Sequence, residues 1–253
     1  VKVGVAGASG QMGGLAASTI IGEDDLHLIA LFDAHTSGNI GGLPISQNHA
    51  ALDGCDVIVE WSRPDVIMDN LDHWRRFGAN VVIGTSGFDA DRMAELERLW
   101  GKGPGNCLVV PNFSIGGVLM MKLAEIVAPH YPVAEVIEMH HDRKAEAPSG
   151  TSIATARRIA GVSPDQSRHT DTEEIAEGAL GASVEGVRVH SVRLPGLVAH
   201  QRVVFGGAGE VLTISHDTTD RSSFMPGMLL AIRSVGAQEE PLAVGLEPLL
   251  GLS

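Results

Sequence analysis

The amino-acid sequence predicts an α/β protein with a doubly wound parallel sheet in its first third, followed by an α+β domain built on an antiparallel or mixed sheet. Three observations carry this. Strand-length apolar runs alternate with segments of helical spacing from Val1 to Ser114, the order that builds βαβ units. Several of those runs, such as VKVGVAG, CDVIVEWS and NVVIG, have too little polar alternation for a sheet with one wet face, so they read as strands covered on both sides. Between Val187 and Thr218 three strand-like runs then follow one another with no room for helices between them, which favours antiparallel pairing.

Taken in order, VKVGVAG is a strand ending in glycine. QMGGLAASTIIG has helical spacing, with Met12, Leu15, Ala16 and Ile20 near one face. LHLIALFD and CDVIVEWS are strands, and PDVIMDNLDHWRRFG is a helix closed by Gly78. NVVIGTSG is a strand with a glycine-rich exit. DADRMAELERLWG is a helix with an acidic start and Gly101 at its end, and NCLVVPNFS is a further strand. GGVLMMKLAEIVAPHY is a helix whose apolar side is expected to hold Met120, Leu123, Ala124 and Val127. AEVIEMHH is a strand and GTSIATARRIAG a helix. The polar, glycine-rich stretch from Val162 to Gly186 reads as a long loop, and SFMPGMLLAIRSVG as a last helix. No internal repeat or low-complexity tract is visible.

At 253 residues the chain suffices for one large domain or two modest ones. Its 44% hydrophobic and 19% charged residues are those of an ordinary soluble protein, and no apolar run approaches the ~20 residues of a membrane helix. Val1 to Ala6 reads as a strand rather than a signal peptide. Cys55 and Cys107 are too few for a disulfide framework, so reduced thiols and a cytoplasmic location are expected. A formal net charge of −13 argues against nucleic acid as a partner. An anionic ligand would need locally placed cations.

Gly7, Gly10 and Gly13 lie between the first strand and the first helix, in GASGQMG. A tight turn there lets backbone N–H groups approach a pyrophosphate, and the helix N-terminus adds its positive end. The spacing G-x-x-G-x-x-G is not the commonest form, but strand, loop and helix stand in the required order. Asp33 ends the second strand, where a carboxylate takes a ribose 2′-hydroxyl; its bland reading is a turn residue before AHTSG. Gly84 to Gly87 and Val110 to Ser114 end later strands at the same sheet edge, where ligands bind in such folds. The domain therefore reads as a Rossmann-like, dinucleotide-binding one.

The stretch EMHHDRKAEAPSGTS, Glu138 to Ser152, carries the second signal. Adjacent histidines on a strand point to opposite faces, and no further ligand lies at chelating spacing, so no metal site is expected. Core packing accounts for either histidine alone but not for Lys144 in a chain whose other lysines are Lys2, Lys102 and Lys122. Pro148-Ser149-Gly150-Thr151 opens a helix with free N–H groups. Ser149 or Thr151 offers a hydroxyl, and Gly150 allows close approach. That is a carboxylate pocket, with Lys144 and a histidine supplying positive charge and a proton. Beside a dinucleotide domain, the fitting reaction is hydride delivery to a polarised C=N or C=C followed by protonation.

The same stretch closely resembles the His-His-x-x-Lys-x-Asp-Ala-Pro-Ser-Gly-Thr signature of the 4-hydroxy-tetrahydrodipicolinate (dihydrodipicolinate) reductases, of the diaminopimelate route to lysine. VGVAGASGQMG, GTSGF, PNFSIG, VRLPGLVAHQRVVFG, ISHDTTDRSSFMPG and GLEPLL extend the resemblance along the whole chain, to actinobacterial members. It implies a dinucleotide-binding domain of residues 1–113 and 222–253, and a substrate-binding and oligomerisation domain of residues 114–221, with a homotetramer formed through the second sheet. It implies His140 as proton donor and Lys144 as second catalytic donor. Substrate contacts are expected at His141, Ser149, Gly150 and Thr151. Nucleotide contacts are expected at Gly7, Ala8, Ser9, Gly10, Gln11, Met12, Asp33, Gly84, Thr85, Ser86, Val110, Pro111, Asn112 and Phe113. The implied substrate is a small cyclic dicarboxylate, with no membrane partner. The departures are Glu146 for the usual Asp, Trp61 for Phe, Ser86 for Thr, and Ser9 and Gln11 where some relatives carry basic residues. Relatives that favour NADPH place an arginine shortly after the acidic residue. Here Ala34, His35, Thr36 and Ser37 follow Asp33, so NADH is the expected preferred cofactor, with NADPH also used. Another nicotinamide-dependent imine reductase or amino-acid dehydrogenase is the nearest alternative. A nucleotide sensor without turnover is a remoter one, since a sensor needs no proton donor.

Overall fold

The structure is a computed structural model describing residues 1–101, 103–163 and 172–252. The chain divides into two compact units, Val1–Ile115 with Phe224–Ser253, and Gly116–Ser223. The first unit begins with β1 (Lys2–Ala6), α1 (Gln11–Ile21), β2 (His27–Phe32), β3 (Gly38–Ile40), β4 (Leu43–Ser46), β5 (Val57–Glu60), α2 (Ile67–Phe77), β6 (Asn80–Ile83), α3 (Ala90–Trp100) and β7 (Cys107–Val109). Local chemistry sets the ends of these helices. Asp89 caps α3 by accepting from the Arg92 N–H, and Gly78 closes α2 in the left-handed conformation, which glycine adopts without a Cβ penalty.

The second unit holds α4, which starts at the boundary residue and spans Ile115–Val127. It continues with β8 (Val133–His140), α5 (Gly150–Val162), β9 (Ala182–Val184), β10 (Val187–Arg193), β11 (Ala199–Gly207) and β12 (Glu210–Thr218). Its sheet runs β12-β11-β8-β10-β9 and is mixed: β8 and β10 are parallel, the other pairs antiparallel. Ala134 and Val136 on β8, Val189 on β10 and Val203 and Phe205 on β11 pack with Ala156 and Ile159 of α5 and Ala124 of α4 into one core. Glu138 and His140 share that face of β8 because side chains alternate along a strand.

The chain then returns to the first unit as α6 (Met225–Ser234) and β13 (Leu242–Val244). The completed sheet runs β13-β7-β6-β5-β1-β2-β4-β3. All its pairs are parallel except the β3–β4 hairpin at one edge. Its core includes Phe32, Leu71, Trp74, Leu96 and Trp100, each buried; full burial of one such side chain is worth about 1.5–3 kcal/mol. Among the described residues no helix is long and apolar enough to cross a membrane.

Several elements differ from the sequence expectation. β3 and β4 had no clear pattern, being short and edge-placed. β9 lies within the stretch read as a loop, of which residues 164–171 fall outside the described residues. In α1 the buried set is Gly13, Ala16, Ala17 and Ile20, while Met12 and Leu15 are only partly buried. The helix approaches the β1 turn so closely that a Cβ on Gly13 would overlap the Gly7 carbonyl oxygen. In α4 the buried seam runs through Gly117, Val118, Met120, Met121 and Ala124, which leaves Leu123 exposed.

Candidate active site

Within the first unit, β1, β2, β6 and β7 are parallel, so their carboxyl ends share one edge. That edge gathers the glycine loop, Asp33, the 84–86 turn and the 110–113 turn. Gly7 has φ +73°, a left-handed conformation, and a Cβ there would lie 2.6 Å from the Trp61 carbonyl carbon. Glycine is therefore demanded twice over, by backbone angle and by space. Gly10 caps α1 without any side-chain hydrogen bond, which leaves the first N–H groups of Gln11 and Met12 without a capping acceptor. Ala8 is buried and donates its N–H to the Phe32 carbonyl at 3.1 Å.

Asp33 is well prepared for a role at this edge. One carboxylate oxygen accepts the Ser9 hydroxyl and, at 3.3 Å, the Ser9 N–H. The other accepts the N–H groups of His35 and Thr36 at 3.0 and 3.1 Å. Partial burial alone would raise its pKa, but these hydrogen bonds outweigh it and hold the carboxyl below its ordinary value. The carboxylate is thus ionised and fixed in orientation.

The other two turns offer mainly backbone. Thr85 is buried and its hydroxyl donates to the Ser62 carbonyl at 2.7 Å, whereas Ser86 is exposed. Phe113 is buried with its ring 5.0 Å from that of Trp61. Asn112 turns its side-chain oxygen to the Ser114 N–H, Val110 donates to the Ile83 carbonyl, and Pro111 is exposed. A Cβ on Gly84 would overlap the Trp61 ring, so the bulk of Trp61 is accommodated against a glycine. An open helix N-terminus, a glycine turn that keeps side chains away and an ionised acidic residue at the end of β2 fit a pyridine dinucleotide.

In the second unit the strand β8 delivers His140 at its end, and the following turn, in which Lys144 N–H donates to the His141 carbonyl at 3.2 Å, carries Lys144. Lys144 Nζ donates to Glu146 Oε2 at 3.0 Å, and this contact holds Glu146 below the usual carboxylate range. Glu146, exposed, is therefore the partner of Lys144 here. His141 Nδ1 is buried without a hydrogen-bond partner.

The α5 N-terminus shows a division of labour. Ser149 is buried; its Oγ accepts the Ser152 N–H at 3.2 Å, so it serves as the helix cap rather than as a free hydroxyl. Thr151 is only partly buried. Gly150 is exposed, and a Cβ there would meet nothing within 4 Å. The start of α5 is therefore open at Gly150, beside the partly buried Thr151.

Beneath His140 lies a cluster that sequence reading missed. Glu138 is fully buried, and Arg193 Nη1 and Nη2 each donate to one of its oxygens at 2.8 Å. The Ser149 N–H donates to Glu138 Oε1 at 3.2 Å, and His140 Nδ1 meets Glu138 Oε2. Burial would raise the Glu138 pKa, but hydrogen bonds from Arg193, Ser191 and His140 hold it below normal. The spacing Glu-x-His on a strand is a usable signal for a shared face. Arg193 is far along the chain and becomes its neighbour only through the parallel β8–β10 register, which pairs Arg193 with His140.

A two-unit oxidoreductase with a Rossmann-type nucleotide domain and an acid–base cluster on a second sheet is the class that this architecture defines. The chain belongs to the dihydrodipicolinate reductase family: residues 1–113 match the model of the family's N-terminal part and residues 116–250 that of its C-terminal part. It is 46% identical to the 4-hydroxy-tetrahydrodipicolinate reductase of Nocardia farcinica (strain IFM 10152), over 100% of this chain and 99% of that protein. It is 44% identical to the reductase of the same name from Thermobifida fusca (strain YX), over the full length of both. The structure superposes with a TM-score of 0.86 on the dipicolinate-bound dihydrodipicolinate reductase of Paenisporosarcina sp. TG-14, at 37% identity and 98% coverage of both chains.

Proposed function

We propose that this protein reduces 4-hydroxy-tetrahydrodipicolinate to tetrahydrodipicolinate in the diaminopimelate route to lysine. The observation that carries the reading is one stretch of the second unit: Lys144, His140, His141 and the open turn at Gly150 and Thr151 lie between the end of β8 and the start of α5, in a chain whose two halves both match the reductase family. When bound, a nicotinamide supplies the hydride that adds to the unsaturated ring. His140, protonated, gives the proton that completes the reduction, and Lys144 acts as a second donor and charge stabiliser. The substrate's hydroxyl departs as water together with a hydrogen from the adjacent ring carbon, so that elimination, one hydride and one proton balance the change. Gly150 and Thr151, on a helix N-terminus held in shape by the Ser149 cap, receive one substrate carboxylate, and His141 supports it.

Gly7 to Met12, with Gly84 to Ser86 and Val110 to Phe113, form the nucleotide cradle, largely through backbone. Asp33 receives the adenosine ribose and disfavours a 2′-phosphate, so NADH is preferred and NADPH is also used. The second sheet's uncovered face, with Val133, Glu135, Ile137 and Val204, is the proposed contact of a homotetramer. The purified protein should consume NADH when given 4-hydroxy-tetrahydrodipicolinate and be inhibited by dipicolinate. Consumption with the imines of ordinary amino acids but not with this substrate would overturn the reading in favour of an amino-acid dehydrogenase.

A further inference from the structure

We propose that Glu138, clamped by Arg193, is the positioning residue for His140: it accepts a hydrogen bond from Nδ1–H and so assigns Nε2 as the nitrogen that exchanges a proton with substrate. This rests on the reading of His140 as the proton donor. The geometry runs as one chain of contacts. Glu138 and His140 are two residues apart on the same face of β8, with His140 Nδ1 against Glu138 Oε2. Arg193 bonds both carboxylate oxygens at 2.8 Å and adds the Glu146 carbonyl at 2.6 Å, tying the carboxylate to the Lys144 loop. The Ser149 N–H reaches Glu138 Oε1 at 3.2 Å, tying it to the α5 cap as well. A single buried carboxylate thus connects the proposed acid, the lysine loop and the anion-receiving turn.

The tautomer follows from donor and acceptor chemistry. Two Arg193 N–H groups and one backbone N–H all donate to Glu138, which keeps it ionised and therefore acceptor-only. The ring nitrogen facing it must carry a hydrogen. In neutral His140 that is Nδ1, and Nε2 holds the lone pair that gains and returns a proton. The charged groups facing His140 are Glu138 on β8, Lys144 in the loop and Arg193 on β10. Burial, chiefly, and then the two cations lower its pKa, and Glu138 opposes them. Without Glu138 nothing in this set favours the protonated ring.

The test uses the full chain with 15N-labelled histidine. In the wild type, ring nitrogen shifts should place the His140 proton on Nδ1 in the neutral form, whether or not the protein turns over any substrate. Glu138→Gln should lower kcat by about 10–100-fold with KM within a few-fold, and move the alkaline fall of kcat about one pH unit towards acid, because a neighbouring negative charge has been lost. Arg193→Lys keeps a cation but cannot bond both oxygens, so its acidward shift should be smaller. A wild-type ring with its proton on Nε2 overturns the proposal, even if Glu138→Gln does not fold. So does a Glu138→Gln loss that is uniform across pH, since that is what a merely structural role would give. A wild type inactive with the substrate, but with His140 in the Nδ1–H form, would instead sink the functional reading and leave the pair intact.

Discussion

Lys144 was conspicuous in the sequence because it stood beside paired histidines, and the structure adds that Glu146 holds it in place. Lys144→Ala should cut turnover by about 10²–10⁴-fold, the range for a lost acid or charge stabiliser, while NADH affinity measured by fluorescence barely changes. Turnover within a few-fold of wild type would contradict its role. His140 faces Glu138, and His141 lies beyond the strand end, so their substitutions should differ. His140→Ala lowers kcat and His141→Ala raises KM, and steady-state kinetics that move both parameters equally in both variants would contradict the division. Asp33, ionised and oriented by Ser9, His35 and Thr36, should give NADH an advantage of ~3–30-fold in kcat/KM at pH 8, or ~0.6–2 kcal/mol. A clear NADPH preference at pH 8 would mean that a basic group distant in sequence reaches the 2′ site. The residues legible beforehand are those whose chemistry is local: glycines at a strand exit, a lysine out of place. Arg193 was not legible because a partner supplied by a neighbouring strand leaves no trace in spacing.

At the scale of elements, the long periodic ones were readable, because a helix of three turns or a fully buried strand writes its pattern over many residues. β3, β4, β9 and β13 span three or four residues each and sit at or near sheet edges, where one face or less is buried, so no pattern forms. The buried faces of α1 and α4 were misjudged at Leu15 and Leu123 because small residues, Gly13 and Ala17 or Gly117 and Ala124, set the closest approach instead of large apolar ones. The α5 N-terminus yields a discriminating prediction. Gly150→Ala meets open space and should leave the melting temperature within a degree or two, yet it should raise KM by about tenfold through steric exclusion of a carboxylate. Loss of stability without change in KM would contradict the pocket. The end of β8 predicts acid sensitivity. His140 binds its proton less readily folded than unfolded, so its contribution is full above the ordinary 6.5 and falls as pH drops below it. Glu138, held below its ordinary 4.5, loses its contribution as pH falls further through its folded value. Melting temperatures from pH 8 to pH 4 should decline from about pH 6.5 downward, and a flat profile would contradict the burial of this cluster.

At the scale of the whole molecule, a chain of net charge −13 places Lys144 and Arg193 near one end of the second sheet, each set against a carboxylate, Glu146 and Glu138 respectively. The proposed tetramer predicts light scattering at about four times the 26.5 kDa chain mass, and Ile137→Asp on the uncovered sheet face should dissociate it. A monomer in the wild type would contradict that proposal. The chemistry itself is tested most directly by isotope transfer. With NADH carrying deuterium at both C4 positions of the nicotinamide and 4-hydroxy-tetrahydrodipicolinate as substrate, mass spectrometry should find tetrahydrodipicolinate bearing one deuterium per molecule, in step with nucleotide oxidised. Nucleotide oxidation without labelled product, or no oxidation with this substrate at all, would contradict the account.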